Sequence, residues 1–226
     1  MKSSYYLFGS YARGDYDAQS DLDVLLIKKN KEIIDDSIKK ELSEKYKKSP
    51  SFSIYTQDRL SDYYRKGNLF AWHLFLESKI IKLGDCGDIL YRLGAPAKYC
   101  NFEKDLQDFY KLLMDIKNNI LLGTRSIIFE AGNLYTVMRN MFFLYVFMQK
   151  NVFNFSPYYI YNCGCDYRVP IAIKKYKKYK EAKTLRSYGK LRKTYFDIKE
   201  IIDDVEIIDI WAREVFDGYL FRKDTV

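Results

Sequence analysis

The residue types that could do chemistry are concentrated near the N-terminus, in a glycine–serine pair and two aspartates. Gly9 and Ser10 end a β-prone segment, and Asp21 and Asp23 lie at the start of a second apolar segment. A glycine lets the backbone approach a ligand closely, and the amides and hydroxyl at the start of a helix beginning at Ser10 suit a triphosphate. Arg13, one turn later, is expected to add a cation to the same phosphates.

The two aspartates have the spacing of a metal-binding pair. Asp21 and Asp23 are two apart on a predicted strand, so both carboxylates project from one face about 6.6 Å apart. Adjacent carboxylates repel each other unless a cation lies between them, and hard oxygen ligands beside a phosphate favour Mg²⁺. A phosphate cradle next to a Mg²⁺-binding pair indicates phosphoryl or nucleotidyl transfer.

Two motifs in this region resemble those of the polymerase-β-like nucleotidyltransferase superfamily, in its minimal form. They are GSYARG over residues 9–14 and SDLD over residues 20–23, where the superfamily has G-S-x-x-x-G and then [ST]-D-x-D. The resemblance implies that Asp21 and Asp23 are catalytic and bind Mg²⁺, and that an NTP, with ATP expected, donates NMP to an acceptor. The residues it assigns to nucleotide binding are Gly9, Ser10, Arg13 and Ser20.

One acidic residue of the superfamily pattern is missing. Its usual place is on the strand after the first long helix, which here is 51–55, and the facing position is predicted to be Ser53. A serine neither binds Mg²⁺ well nor serves as a base near neutral pH. The base then comes from Asp58, Glu77 or Glu130, of which Glu130 is the candidate catalytic residue, or the acceptor ionises unaided, or turnover has been lost.

The elements that would position these residues alternate between strand and helix over the first ninety or so residues. Apolar runs and period-two alternation predict four strands, and three- and four-residue apolar spacing predicts two helices. The expected domain is a small mixed sheet with helices, over residues 1–95. The predicted strands are 4–8, 22–27, 51–55 and 79–83, and the predicted helices are 31–47 and 68–76.

From residue 101 onward the pattern is helical. Asn101 is a plausible N-cap for a helix that ends near Gly123, and a second helix is predicted over 125–150. The stretch 141–148 is apolar on every side, which is typical of the buried centre of a bundle. The fold class is therefore predicted to be α+β, with a bundle of four to six helices over residues 101–226.

The helical half resembles, more faintly, the HEPN-like bundles that accompany such nucleotidyltransferases. The matching patch is 130–135 followed by Arg139 and Asn140. HEPN ribonucleases carry R-N-x-x-x-H, and Leu144 occupies the histidine position here, so RNA cleavage through that motif is not expected. The resemblance implies an acceptor-binding or dimerising bundle, with a homodimer as one outcome.

The net charge of +8 comes from one segment of the chain. The segment 174–193 holds eight Lys, two Arg and one Glu, a net of +9, so the rest of the chain sums to −1. The interleaved Tyr176, Tyr179 and Tyr188 could stack on the bases of an RNA partner, and phosphate attraction would depend on salt. A solvated helix face is the other interpretation of such a run.

Composition excludes several classes of protein. One histidine and four cysteines without zinc-finger spacing argue against a structural zinc site and for reduced thiols. The longest apolar run, 141–148, is far shorter than the ~20 residues of a membrane span, and no signal-peptide core precedes the first strand. A cytoplasmic protein without a membrane partner is expected.

Three functions remain open at this stage. The first is an enzyme that transfers NMP from an NTP to a hydroxyl of an antibiotic-like small molecule or of a protein. The second is a catalytically degenerate binding protein of a toxin–antitoxin or defence module, which the missing acid favours. The third is an RNA-modifying nucleotidyltransferase that uses the basic segment 174–193.

Overall fold

The chain is divided into two compact units, Met1–Asn101 and Phe102–Val226. The computed structural model describes residues 3–18, 20–28, 35–123, 126–164, 168–188 and 196–223. A four-stranded mixed sheet lies in the first unit and helices make up the described part of the second. The predicted α+β class is confirmed.

The sheet of the first unit has the strand order β3-β2-β1-β4. β1 is antiparallel to both β2 and β4, whereas β2 and β3 are parallel. Parallel neighbours need a crossover, which α2 provides. The strands are β1 (Ser4–Leu7), β2 (Leu22–Lys28), β3 (Pro50–Thr56) and β4 (Lys79–Lys82), close to the predicted positions.

Five helices accompany the sheet in the part of the first unit that the structure describes. They are α1 (Gly9–Arg13), α2 (Asp36–Tyr46), α3 (Gln57–Arg65), α4 (Leu69–Glu77) and α5 (Ile89–Leu93). Helix α2 begins at Asp36, because the Asp35 side chain caps it by accepting from Ser37 N, and residues 31–34 of the predicted helix 31–47 lie outside the described residues. Apolar spacing does not predict α3, which is a polar helix capped by Thr56, or the short α5.

The core of this unit occupies both faces of the sheet. Alternate residues of β1 and β2 point to opposite sides, so Tyr6 and Leu25 belong to one apolar cluster and Leu7 and Val24 to the other. Burial on both faces explains why β2 is an almost continuous apolar run. The central strands are thereby fixed, and with them the residues at their ends.

The second unit is built around one long buried helix. Residues 141–146 of α7 are all buried, which confirms the predicted bundle centre. Gly132 lets α9 approach closely, because a Cβ there would lie 3.0 Å from Lys183 Cα. The helices are α6 (Phe102–Leu121), α7 (Ile127–Lys150), α8 (Tyr159–Asn162), α9 (Ile173–Tyr188) and α10 (Ile198–Lys223). No helix within the described ranges is both long and apolar enough to cross a membrane.

Candidate active site

The fold brings the glycine of the first motif against the second aspartate of the other. The antiparallel pairing of Leu7 with Val24 continues into a hydrogen bond of 3.1 Å from Phe8 N to Asp23 O. Gly9 follows with a φ of +72°, and a Cβ there would lie 2.7 Å from Asp23 Oδ2. Only glycine satisfies both the left-handed backbone and this close approach.

Helix α1 is a single short turn closed by a second glycine. Ser10 is half-buried, and its carbonyl oxygen accepts from Gly14 N at 2.8 Å and from Asp15 N at 3.2 Å. Gly14 has a φ of +89°, which ends the helix in the left-handed conformation. The chain then turns back toward β2, so the two motifs belong to one compact strand–turn–strand unit.

Asp21 and Asp23 fit the Mg²⁺ ion that the family resemblance implies. Asp21 directly precedes β2 and Asp23 is its second residue, and both are half-buried. The donors are hard carboxylate oxygens, and the missing side chain at Gly9 leaves the Asp23 carboxylate its room. Among the described residues no group of three or more His, Cys, Asp or Glu is gathered for a metal. Two carboxylates suffice for a Mg²⁺ ion that takes its other ligands from water and substrate phosphates.

Ser20 closes the loop between the motifs. Its side chain is buried, and its Oγ donates to Asp17 Oδ1 and accepts from Asp17 N, both at 2.9 Å. These bonds hold the 17–20 turn immediately before Asp21. The structure therefore shows a structural role for Ser20, and its nucleotide contact stays a prediction.

Arg13 is predicted to contact the phosphates, and in the structure its guanidinium pairs with two carboxylates. Its Nη1 lies 2.6 Å from Glu77 Oε2 and its Nε 3.1 Å from Asp15 Oδ1. His73 Nε2 lies 2.7 Å from the same Glu77 oxygen. Nothing in the sequence pattern connects Glu77 with Arg13. The i, i+4 spacing of His73 and Glu77 on α4 was a signal for their pairing, but a contact between α4 and α1 needs the tertiary fold.

The strand register corrects the predicted position of the missing acid. Asp23 is paired with Ser51, whereas Ser53 is paired with Leu25. Paired residues of neighbouring strands point to the same face, so Ser51 is the β3 residue opposite Asp23. β3 reads PSFSIYT and contributes serines to this face.

The three candidate bases differ in their surroundings. Asp58 is exposed in the first turn of α3, and Glu77 is shared by Arg13 and His73. Glu130 belongs to the second unit, where it is 4% exposed and its Oε1 accepts from Asn119 Nδ2 at 3.0 Å. Glu130 therefore has a partner within its own unit, and its catalytic role stays a prediction.

Stacking on RNA bases is one of the two interpretations of the basic segment, and the burial of Tyr176 and Tyr179 in the second unit argues against it. Tyr179 donates to Asp204 at 2.8 Å, and burial together with this carboxylate raises the pKa of Tyr179 well above its usual range. Lys175 pairs with Asp204 at 2.8 Å and Lys178 with Glu200 at 3.3 Å. Residues 189–195 and the side chain of Tyr188 lie outside the description.

The patch that resembles the HEPN motif is built into the interior of the second unit. Arg139 Nη2 donates to Phe155 O at 3.2 Å, and the guanidinium lies 4.7 Å from the centroid of the Phe143 ring. Leu144, at the position of the ribonuclease histidine, is 1% exposed. These contacts stabilise the helix packing.

Comparison with known families identifies the first unit. The family model for the nucleotidyltransferase domain matches residues 2–71, a segment that runs from β1 into α4 and contains both motifs. Comparison with curated proteins gives no match. The helical second unit lies outside the matched residues. The N-terminal residues 2–71 thus match the nucleotidyltransferase domain, and a helical unit follows in the chain.

Proposed function

We propose that the protein is a Mg²⁺-dependent enzyme that transfers NMP from an NTP, ATP in the first instance, to a hydroxyl acceptor. The observation that carries this proposal is the contact between Gly9 and the Asp23 carboxylate inside the segment matched to the nucleotidyltransferase family. It places the predicted phosphate-binding backbone beside a predicted metal ligand. That juxtaposition is what nucleotidyl transfer requires.

The residues of the chain act mainly by holding the NTP and the metal ion in place. Gly9 and Ser10 bind the phosphates of the NTP, and Asp21 and Asp23 hold the Mg²⁺ ion. A bound Mg²⁺ supplies Lewis-acid polarisation of the phosphoryl oxygens and neutralises their charge. The hydrogen bond from Phe8 N to Asp23 O ties the two strands together at this point, so the carboxylate is held by the sheet.

For the acceptor we propose a small molecule or a protein side chain ahead of RNA. Two observations support this order: the rings of Tyr176 and Tyr179 are buried, and the ammonium groups of Lys175 and Lys178 are paired with α10 carboxylates. Fewer ammonium groups of segment 174–193 are therefore available to bind phosphates than its net charge of +9 indicates. An RNA acceptor is therefore the weakest of the three alternatives.

A catalytically degenerate binding protein is the second candidate function. The observation that favours it is Ser51 opposite Asp23, where the superfamily pattern calls for a carboxylate on this strand. A serine hydroxyl cannot take the acceptor proton near neutral pH. A protein of this kind would bind Mg²⁺ and the NTP and would not turn it over.

Transfer of label from α-³²P-ATP separates these candidates. The protein is incubated with Mg²⁺ and a panel of hydroxyl-bearing acceptors: aminoglycoside- and lincosamide-like molecules, proteins including the chain itself, and RNA. We expect label on a small molecule or protein, and its loss in the Asp21→Asn/Asp23→Asn variant. Asp203→Asn, an exposed carboxylate on α10, is the control that keeps activity. NTP binding that depends on Mg²⁺ without any transfer would favour the binding protein, and label on RNA would favour the third function.

A further inference from the structure

Glu77 is a nearly buried carboxylate that holds two side chains at once. Its side chain is 7% exposed, and its Oε2 lies 2.6 Å from Arg13 Nη1 and 2.7 Å from His73 Nε2. Arg13 and His73 are each 17% exposed, and Arg13 also contacts Asp15. A charge so enclosed must be compensated by partners, and removal of one of these groups weakens that compensation.

These contacts reach both ends of α1. Arg13 is the last residue of the helix, so Glu77 holds its C-terminal end directly. At the other end, the His73 ring packs edge-on against Phe8, with centroids 5.5 Å apart. Phe8 immediately precedes Gly9 and donates its N–H to Asp23 O. A single carboxylate on α4 is thus linked to the residues that begin and end the predicted phosphate cradle.

Helix α1 depends on such contacts for its position. It has five residues, and helices far shorter than ~12 residues are not stable on their own. Its first residue, Gly9, also has a left-handed backbone. The energy that holds α1 in place must therefore come from its tertiary partners.

We propose that Glu77 is a positioning residue, which through Arg13 and His73 fixes α1 and so the Gly9–Ser10 backbone for the phosphates of the NTP. The functional half of this inference rests on the proposed function. In this proposal Arg13 stabilises the position of α1 and does not contact phosphate directly. The two roles of Arg13 lead to opposite expectations when Glu77 loses its charge.

The test measures amide hydrogen exchange of residues 9–14 and NTP affinity in the presence of Mg²⁺. In Glu77→Gln, which keeps the size of the side chain, we expect faster exchange at 9–14 and about tenfold weaker NTP binding or more, since an ion pair in a nearly buried site is broken. Arg13→Lys should lose affinity as well, because a lysine cannot bridge Glu77 and Asp15 with a planar fork. If Arg13 instead contacts phosphate, Glu77→Gln will keep or raise affinity and Arg13→Lys will retain most of it.

Two control variants separate positioning from general loss of stability. Asp62→Asn removes an exposed carboxylate that pairs with Lys66 at 2.7 Å in the same unit, and it should change neither measurement. Ile89→Ala opens a cavity under α5 in the same unit, and it should lower the melting temperature without weakening NTP binding at 25 °C.

The outcomes distinguish failure of this inference from failure of the proposed function. Unchanged exchange at 9–14 in Glu77→Gln overturns the positioning role, whatever the nucleotide data show. Faster exchange with unchanged NTP affinity overturns the link to the phosphates. If the wild-type protein binds no NTP, the proposed function fails, and the exchange data alone decide whether Glu77 fixes α1.

Discussion

At the scale of single residues, the sequence singled out candidates for chemistry but not their contacts. Residue type and spacing made Gly9, Asp21 and Asp23 candidates, because two side chains that share one face of a strand occupy alternate positions. The same information could not show that Arg13 faces Glu77, since sixty-four residues separate them. Contacts between distant elements depend on how the sheet and helices pack, which spacing along the chain does not encode.

Replacement of Gly9 by alanine tests the central contact of the site. The new Cβ would lie 2.7 Å from Asp23 Oδ2, and the φ of +72° would be strained at about 1–3 kcal/mol. We expect Gly9→Ala to displace the carboxylate and to abolish Mg²⁺-dependent NTP binding, as measured by calorimetry. Gly87→Ala is the matched control, with a φ of +65° and no atom within 4 Å of the new Cβ. Equal NTP affinity in both variants would contradict a role for the Gly9–Asp23 contact.

At the scale of elements, apolar patterns predicted the strands and long helices, and they failed for polar helices. β2 and α7 are so rich in apolar residues that both could be predicted as buried elements from the sequence. Helix α9 shows the limit: its lysines dominate the composition, and they conceal that Tyr176 and Tyr179 pack inside the unit. A tyrosine carries a large apolar ring and one polar atom, so charge arithmetic cannot tell which side of a helix it occupies.

The packing of α7 on α9 gives a prediction at this scale. A Cβ at Gly132 would lie 3.0 Å from Lys183 Cα, a backbone atom, so the helices would have to separate. Overpacking of this kind costs about 1–3 kcal/mol, more than the gain of up to about 1 kcal/mol from replacing a helical glycine. We expect Gly132→Ala to lower the free energy of unfolding in urea. Gly218→Ala in α10, with no atom within 4 Å of its Cβ, should instead raise it. Stabilisation by both variants would contradict the close helix contact.

At the scale of the whole molecule, the sequence predicted an α/β unit followed by a helical unit, and the structure has both. The strand order β3-β2-β1-β4 was beyond reach, because the same strands fit several mixed sheets. The net charge of +9 over residues 174–193 is a count of charged side chains along the sequence. In the fold, part of it is offset by acidic residues of α10, such as Asp204 and Glu200. In the second unit, basic side chains of α9 are therefore paired with acidic side chains of α10.

The buried acid of α10 makes the stability of the second unit depend on pH. Burial tends to raise the pKa of Asp209, but hydrogen bonds from Arg213 and Lys117 outweigh it, and the pKa lies below the usual range. A carboxyl whose pKa is depressed by folding contributes stability that is present above its unfolded pKa of about 3.9 and is lost as pH falls toward the folded value. The second unit should therefore lose part of its stability as the pH falls below about 4.

The two tryptophans allow this acid dependence to be measured on the second unit alone. Trp72 is in α4 and Trp211 is buried in α10, so fluorescence in a Trp72→Phe background reports on the second unit. We expect Asp209→Asn to lower the free energy of unfolding in urea at pH 7, where Arg213 loses its carboxylate partner and Lys117 keeps only Glu206, and to flatten the fall of that free energy between pH 5 and pH 3. Asp203→Asn, exposed on the same helix, should leave both unchanged. A fall as steep in Asp209→Asn as in the wild type would assign the acid sensitivity to other carboxylates, such as Glu200, whose pKa the hydrogen bond from Lys178 also lowers.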